Sequence, residues 1–377
     1  ATGWAPLLAF AFAGFAGGFV GVDVFFVISG FLITQILAGE LEAGDFSLAR
    51  FYERRARRIL PALYLVVGVS AGLALYLDLP GELREFSRTV MATLLFVSNL
   101  WYWWRGADYF APSAERDPML HTWSLGVEEQ YYLVFPLLMF ALWRFGARSG
   151  SGPRRAARVI AALSAISLVL AEIGWRVAPE ANFFLLPTRA WQLGFGALAA
   201  FAWVNRAAWP AVARGRGLAE AAAAAGALLV LGSVFLMDAS VPFPSLAAVP
   251  PTGGAALVLL FATPGTVTGR LLALRPMVLV GLVSYGAYLW HQPLLAFARI
   301  AAPEMLGTET LGTGALFGII GLTFALAAAT LFLVERPFRR RGFLTRARIF
   351  AAGGAGGLVL FALAGLGYRT SGFRDFY

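Results

Sequence analysis

Long apolar runs dominate the chain, and short polar or arginine-bearing stretches separate them. A transmembrane helix needs about 20 mostly apolar residues, and these runs lack the two-residue alternation of barrel strands. We therefore predict an all-α protein, a polytopic membrane helical bundle. Twelve candidate segments lie near residues 4–16, 19–37, 59–77, 88–104, 123–146, 157–178, 186–204, 218–237, 247–262, 277–298, 311–334 and 347–367.

The placement of arginine orients these segments, because arginine-rich loops usually stay on the cytoplasmic side. From residue 147 onward the basic loops alternate cleanly, which puts the C-terminus outside. The basic loops 38–58 and 147–156 should both be cytoplasmic, yet three candidate segments separate them. We predict about 11 full spans plus one re-entrant or interfacial segment, with 88–104 as the weakest candidate because it contains Asn99. The alternative is that one basic loop breaks the rule.

The amino-acid composition supports a membrane protein and limits the kinds of catalytic and metal site to consider. Of the 377 residues, 59% are hydrophobic and 14% charged, which is too apolar for a soluble globule of this size. All 30 basic residues are arginines, and the arginine-rich loops lie between apolar runs, so the net charge of +9 indicates topology and not nucleic-acid binding. The absence of cysteine excludes thiolate chemistry, and with only two histidines we expect no metal site.

Ionisable side chains inside or beside apolar runs are the candidates for function, because burying a charge in hydrocarbon is costly. Residues 119–132 read MLHTWSLGVEEQYY and hold His121, Glu128 and Glu129. A continuous helix would place His121 and Glu128 on one face, two turns apart, which favours proton transfer. The alternative is a loop histidine and a carboxylate favoured by a helix N-terminus.

Four further polar residues lie within apolar segments. Asp23 is either a proton acceptor or partner of a histidine, or the N-terminal cap of its helix. His291 is either catalytic or a structural hydrogen-bonding residue. Arg189 and Gln192 are candidates to line the same cavity, and Gly30 is expected to permit close helix packing.

Four arginines occupy five positions at the entry to one segment, in the run FYERRARRILP at residues 51–61. Arginine binds phosphate in a bidentate manner, so the cluster would suit a phosphate-rich cofactor such as coenzyme A. The alternative is that the arginines serve only to keep this end of the segment on the cytoplasmic side of the membrane. The four residues are Arg54, Arg55, Arg57 and Arg58.

Five motifs, in order along the chain, resemble acyltransferase family 3, the integral membrane acyltransferases that include bacterial O-antigen acetylases. They are GVDVFFVISGFL at 21–32, FYERRARRILP at 51–61, HTWSLGVEEQYY at 121–132, LWHQPL at 289–294 and ERPFRR at 335–340. The resemblance covers about residues 17–345. It implies a multi-pass protein of the bacterial inner (plasma) membrane.

The resemblance also implies an activity and a site. The expected reaction moves an acyl group, usually acetyl, from cytoplasmic acetyl-CoA to a hydroxyl of a cell-envelope or exported glycan or glycolipid. The expected partners are therefore the lipid bilayer, acyl-CoA and this acceptor. Carried over by position, the catalytic candidates are His121, Glu128, Asp23 and Glu129; the acyl-CoA-binding candidates are Arg54, Arg55, Arg57 and Arg58; and the substrate-cavity candidates are Trp123, Ser124, Arg189 and His291.

The beginning of the chain departs from the family pattern. Family members carry a basic residue in the first span and a histidine eleven positions later, but residues 1–16 contain neither, and the first basic residue is Arg50. We expect this stretch to be a truncated, altered or out-of-frame start. The rival function is accordingly a non-enzymatic transporter or an inactive acyltransferase relic.

The predicted domains are a membrane acyltransferase domain at 1–345 and an extra final span with an outward tail at 346–377. A subgroup of the family carries such a span before an extracytoplasmic SGNH-type domain. The resemblance therefore implies a further domain beyond this tail.

Overall fold

The structure is a computed structural model that describes residues 16–77, 80–110, 114–146, 152–208, 215–301, 313–340 and 342–372. Every regular element in these ranges is helical, which confirms the predicted all-α class. The α-helices are α1 (Gly21–Glu42), α2 (Leu48–Leu77), α3 (Pro80–Leu94), α4 (Ser98–Trp104), α5 (Thr122–Gly146), α6 (Gly152–Val177), α7 (Pro179–Phe184), α8 (Leu186–Val204), α9 (Arg216–Leu236), α10 (Val249–Phe261), α11 (Val267–Leu272), α12 (Arg275–Ala301), α13 (Thr313–Thr330), α14 (Arg336–Arg339) and α15 (Arg346–Arg369).

Seven helical stretches in the described part of the chain are long and apolar enough to cross a bilayer. They identify a multi-pass membrane protein. The number of spans stays a prediction, since candidate segment 4–16 lies outside the described residues. The seven are Gly17–Glu42, Leu48–Leu77, Thr122–Phe145, Gly152–Val177, Arg216–Leu236, Gly314–Arg339 and Arg346–Arg369.

The weakest predicted segment, 88–104, is interrupted. Helix α3 ends at Leu94, and α4 begins only at Ser98. Between them Phe96 has a φ of 56°, a left-handed conformation that a continuous helix excludes. Neither α3 nor α4 is among the seven long apolar helices.

One expectation about the arginine cluster is wrong. The sequence placed Arg50 to Arg58 in a loop spanning 38–58, but α2 already begins at Leu48. These arginines therefore lie on the first three turns of a helix. The first turns of α2 mix arginines with apolar residues. The predicted segment was defined by an uninterrupted apolar run, so its start at residue 59 lies about three turns too late.

The chain divides into two compact units at three points, one of them within α5, between Gly126 and Val127, and another within α12, between Leu282 and Val283. The first unit draws on Ala1–Phe46 and Val127–Leu282, and the second on Ser47–Gly126 and Val283–Tyr377. The domain boundary predicted at residue 345 stays a prediction.

In the first unit, α1 packs directly on α8. A Cβ atom added to Gly30 would overlap the carbonyl oxygen of Leu193, and one added to Gly196 would overlap that of Val27. The two helix backbones therefore approach as closely as small residues allow, as predicted for Gly30. This contact fixes the polar residues of α1 relative to those of α8.

In the second unit, α2, α3 and α12 surround a common apolar core that includes Leu63, Phe86 and Leu289. Helix α15 is attached to this core at two levels. The Tyr64 hydroxyl donates to the carbonyl oxygen of Gly353 at 2.9 Å. Farther along, Arg88 Nη2 donates to the Tyr368 hydroxyl at 3.3 Å, and the guanidinium lies 4.7 Å from that ring centroid.

Candidate active-site clusters

A buried ion pair joins α1 and α8 in the first unit. Asp23 is completely buried in the first turn of α1, and its Oδ1 lies 3.2 Å from Arg189 Nη1. Gln192 Nε2 donates to the same oxygen. Arg189 Nε also donates to the carbonyl oxygen of Phe183 at 2.9 Å. A carboxylate this deeply buried persists because a guanidinium and an amide supply the interactions that water would otherwise make.

The structure thus brings Asp23 together with Arg189 and Gln192, which the sequence had proposed to line one cavity. The capping alternative for Asp23 is wrong, because Val20 occupies the N-cap of α1 and no side chain caps it. Two acceptor atoms of this cluster, Asp23 Oδ2 and Gln192 Oε1, have no hydrogen-bond partner among the described residues.

A second carboxylate of the first unit is held by hydroxyl groups. Glu128 lies in α5 and is 3% exposed. Its Oε1 accepts one hydrogen bond from Ser29 Oγ of α1 and another from the Tyr132 hydroxyl, each at 2.5 Å. The neighbouring Glu129 is only partly buried. Ser29 and Tyr132 were not proposed as site residues, although both stand in the motifs that carry the resemblance.

The two histidines of the chain meet in the second unit. The rings of His121 and His291 are buried, with centroids 5.2 Å apart and planes inclined at 67°. Neither ring nitrogen of His121 has a hydrogen-bond partner in the part of the chain that the structure describes. Burial, and secondarily the nearby His291, hold the pKa of His121 well below its usual range. The His121 imidazole is therefore neutral at pH 7 and carries a lone pair that can accept a proton.

Helix α12 holds the segment that carries His121. The Tyr288 hydroxyl donates to the His121 carbonyl oxygen at 2.7 Å and lies 3.0 Å from Ser124 Oγ. Gln292 Nε2 donates to the carbonyl oxygen of Asp117 at 3.0 Å. These contacts fix the backbone on both sides of the imidazole. Tyr288 was missed as a site residue, although its spacing of three from His291 puts both on one helical face.

The predicted geometry of His121 and Glu128 needs one correction. Helix α5 begins at Thr122, so His121 precedes it and the continuous helix that was assumed does not include this residue. Moreover, His121 belongs to the second unit and Glu128 to the first. Trp123 and Ser124, predicted to line the cavity, are buried in the first turn of α5, within the second unit.

The arginine cluster of α2 is not uniform. Arg57 is buried, and its Nε and Nη2 donate to Glu53 Oε1 at 3.1 and 3.0 Å. Its Nη1 and Nη2 also donate to the carbonyl oxygens of Phe338 and Leu344, at 3.2 and 2.5 Å. Glu53 in turn pairs with Arg346 at the start of α15, at 2.7 Å. Arg57 therefore joins three segments of the second unit.

The other three arginines of the cluster are differently placed. Arg54 and Arg55 are half-buried, whereas Arg58 is exposed. Arg58 also lies near the buried Glu335, which forms an ion pair with Arg339. Arg58 is thus the most accessible of the four arginines. The cluster thus combines one structural arginine with three that remain partly or fully accessible.

Comparison with known proteins identifies the protein family of this chain. A family model described as "Acyltransferase domain" matches residues 1–334. Peptidoglycan O-acetyltransferase OatA of Listeria monocytogenes is 28% identical over 344 residues, which cover 87% of this chain and 52% of that protein. O-acetyltransferase OatA of Staphylococcus aureus is 29% identical over 345 residues, 87% of this chain and 54% of that protein. No solved structure is significantly similar.

The chain belongs to acyltransferase family 3, as its five motifs predicted. It spans about half the length of the curated relatives it matches. The family match begins at residue 1, earlier than the motifs, which begin near Gly17. The expectation of an altered start concerns residues 1–16, which fall almost entirely outside the described residues.

Proposed function

We propose that this protein is a membrane O-acyltransferase that transfers an acyl group, expected to be acetyl, from acyl-CoA to a hydroxyl of a cell-envelope glycan. The observation that carries the proposal is His121, a buried neutral imidazole whose two ring nitrogens have no partner among the described residues, in a chain of an acyltransferase family. The names of its relatives make peptidoglycan the first acceptor to test.

The chemistry asked of His121 is general base catalysis. The imidazole removes the proton of the acceptor hydroxyl as the hydroxyl oxygen attacks the carbonyl carbon of the thioester. The new ester C–O bond forms, the C–S bond breaks, and the departing sulfur takes the proton, which yields free coenzyme A. A neutral histidine is required at the start, and burial supplies it. Glu128, Asp23 and Glu129 are proposed as further catalytic groups.

The donor is proposed to bind at the start of α2. Coenzyme A carries several phosphates, and guanidinium groups bind them through paired, charge-assisted hydrogen bonds. Arg54, Arg55 and Arg58 are the proposed phosphate ligands because they are half-buried or exposed, whereas Arg57 is buried and donates four hydrogen bonds to three protein oxygens. Trp123, Ser124, Arg189 and His291 are kept as proposed substrate-cavity residues.

The test is release of coenzyme A by the full chain reconstituted in proteoliposomes, with acetyl-CoA as donor and peptidoglycan fragments as acceptor. The chain has no cysteine, so a thiol-reactive dye reports only free coenzyme A. Acceptor-dependent release, with an O-acetyl ester in the product, is the expected result. Absence of any acceptor-dependent release with glycan acceptors would contradict the proposal and favour the transporter or relic.

A further inference from the structure

Two hydroxyl groups converge on one oxygen of a buried glutamate. Ser29 Oγ and the Tyr132 hydroxyl both donate to Glu128 Oε1, each at 2.5 Å. All three side chains are more than nine-tenths buried and belong to the first unit. Two hydroxyl donors therefore hold a single carboxyl oxygen.

The two donors come from different directions in the chain. Tyr132 is four residues after Glu128 on α5, so its hydroxyl reaches back along the same helix face. Ser29 lies on α1, 99 positions earlier in the sequence. One bond therefore fixes the carboxylate relative to its own helix, and the other fixes it relative to α1. A glutamate side chain otherwise retains several rotamers, which cost up to about 2 kcal/mol to order.

We infer that Ser29 and Tyr132 are positioning residues that orient the carboxylate of Glu128 for acyl transfer. This inference rests on the proposed function, in which Glu128 is a catalytic group. Both hydroxyls donate to Oε1, so the proposed effect of each on the reaction passes through Glu128. Preorganised carboxylates of this kind require no rearrangement at the moment of reaction.

The chain offers a matched control at the next position. Tyr131 precedes Tyr132, is also buried, and its hydroxyl has no hydrogen-bond partner among the described residues. Tyr131→Phe and Tyr132→Phe therefore delete the same atom from adjacent buried rings, but only the second deletes a bond to Glu128. For Ser29, Ser29→Ala removes the donor and Ser29→Thr retains a hydroxyl.

The experiment measures kcat and the KM values for acetyl-CoA and acceptor in proteoliposomes, with thermal unfolding of each variant in detergent. We expect Tyr132→Phe and Ser29→Ala each to lower kcat by about 10-fold to 100-fold, the range for one hydrogen bond to a charged group. Both KM values should stay within about twofold, because a misplaced catalytic carboxylate affects the transition state and not binding. Tyr131→Phe should match wild type, and Ser29→Thr should recover most of the activity.

The double variant Ser29→Ala/Tyr132→Phe separates a positioning role from a merely structural one. Its kcat should fall further than that of either single variant, toward that of Glu128→Gln, while its unfolding temperature stays near that of wild type. A loss of kcat with a matching fall in unfolding temperature would contradict the positioning role. If Glu128→Gln is inactive while Tyr132→Phe and Ser29→Ala keep wild-type kcat, the positioning role is wrong and the proposed function stands. If Glu128→Gln is itself fully active, the role of Glu128 in the proposed function fails. Should Tyr132→Phe not fold, the comparison of Ser29→Ala with Ser29→Thr decides.

Discussion

The buried carboxylates of the first unit and the buried histidine His121 of the second unit differ in their hydrogen-bond partners. In the first unit, Asp23 is paired with a guanidinium, and Glu128 accepts two hydroxyl bonds. In the second unit, His121 is equally buried, yet both of its ring nitrogens lack partners among the described residues. The difference follows from charge. An ionised carboxylate in an apolar interior requires donors, whereas an imidazole can lose its proton and remain neutral.

This contrast predicts which substitutions should affect folding stability and which should affect turnover. Removing one partner of a buried ion pair leaves a buried charge unpaired, so changes at Asp23 should affect folding in addition to any effect on turnover. The ring nitrogens of His121 make no hydrogen bond to the described residues, so changes at His121 should mainly affect turnover. Asp23 and Glu128 combine both properties, because each is bonded and is also proposed to be catalytic.

Glu128→Gln should reduce acyl transfer to background, a loss of about 10³-fold or more, since general acid–base groups contribute up to about 10⁴-fold. The substitution keeps the volume and removes the charge, so the protein should still fold. Acceptor-dependent release of coenzyme A gives the activity, and thermal unfolding in detergent gives the control. Near-native turnover would exclude Glu128 from the site, and failure to fold would assign it a structural role.

Asp23→Leu should destabilise the first unit by about 3–5 kcal/mol, the usual cost of leaving a buried partner unpaired. The unpaired charge is that of Arg189, which is almost completely buried. Combining Asp23→Leu with Arg189→Met should recover most of the lost stability, since the double change removes both charges. The unfolding midpoints of wild type, Asp23→Leu, Arg189→Met and the double variant form a double-mutant cycle. Additive losses would show that the pair contributes no mutual stabilisation.

His121→Gln should lower kcat by about 100-fold or more, in the range of a lost general base. The unfolding free energy should change by less than about 1 kcal/mol, because no hydrogen bond of the ring is lost. His291→Gln is the companion variant, since it alters the neighbouring ring and leaves His121 in place. A stability loss for His121→Gln as large as that of Asp23→Leu would remove the contrast between the units.

The pH profile gives a second test of His121. A pKa held below the ordinary 6.5 means that protonation of the base, and loss of activity, should begin only at lower pH. We expect the rate to remain level from pH 7 down through pH 6.5 and to fall only in more acidic buffer. A decline centred near pH 6.5 would indicate a histidine in ordinary contact with water.

The arginines of α2 should divide into two classes. The triple variant Arg54→Gln/Arg55→Gln/Arg58→Gln should raise the KM for acetyl-CoA by about tenfold, because phosphate contacts are lost while the fold is kept. Arg57→Gln should instead lower the unfolding temperature, since this residue joins α2 to two backbone carbonyls. Binding titrations with coenzyme A and dephospho-coenzyme A provide the measurement. If the triple variant kept its affinity for both coenzyme A and dephospho-coenzyme A, these arginines would not bind phosphate and would serve only to orient the segment in the membrane.

Much of the architecture is determined by local sequence. Long apolar runs bounded by arginine specify helices wherever they occur, so α1, α5 and α15 lie close to their predicted segments. The candidates Asp23, Arg189 and Gln192 could also be found from sequence, because a polar side chain in an apolar run must meet another polar group. The start of α2 could not be found from the sequence in this way, because its arginines lower the hydropathy of the first turns of the helix.

The sequence by itself determined an all-helical membrane protein of an acyltransferase family and a short set of polar candidates, because helix formation and hydrocarbon burial depend on composition within about 20 neighbouring residues. Only the tertiary structure decided which candidates have partners. The Ser29–Glu128 bond joins residues 99 positions apart, and the contact of His121 with His291 joins different helical segments. The separation of Arg57 from its neighbours likewise depends on distant carbonyls of Phe338 and Leu344. Such pairings arise from helix packing, whose geometry no local pattern encodes.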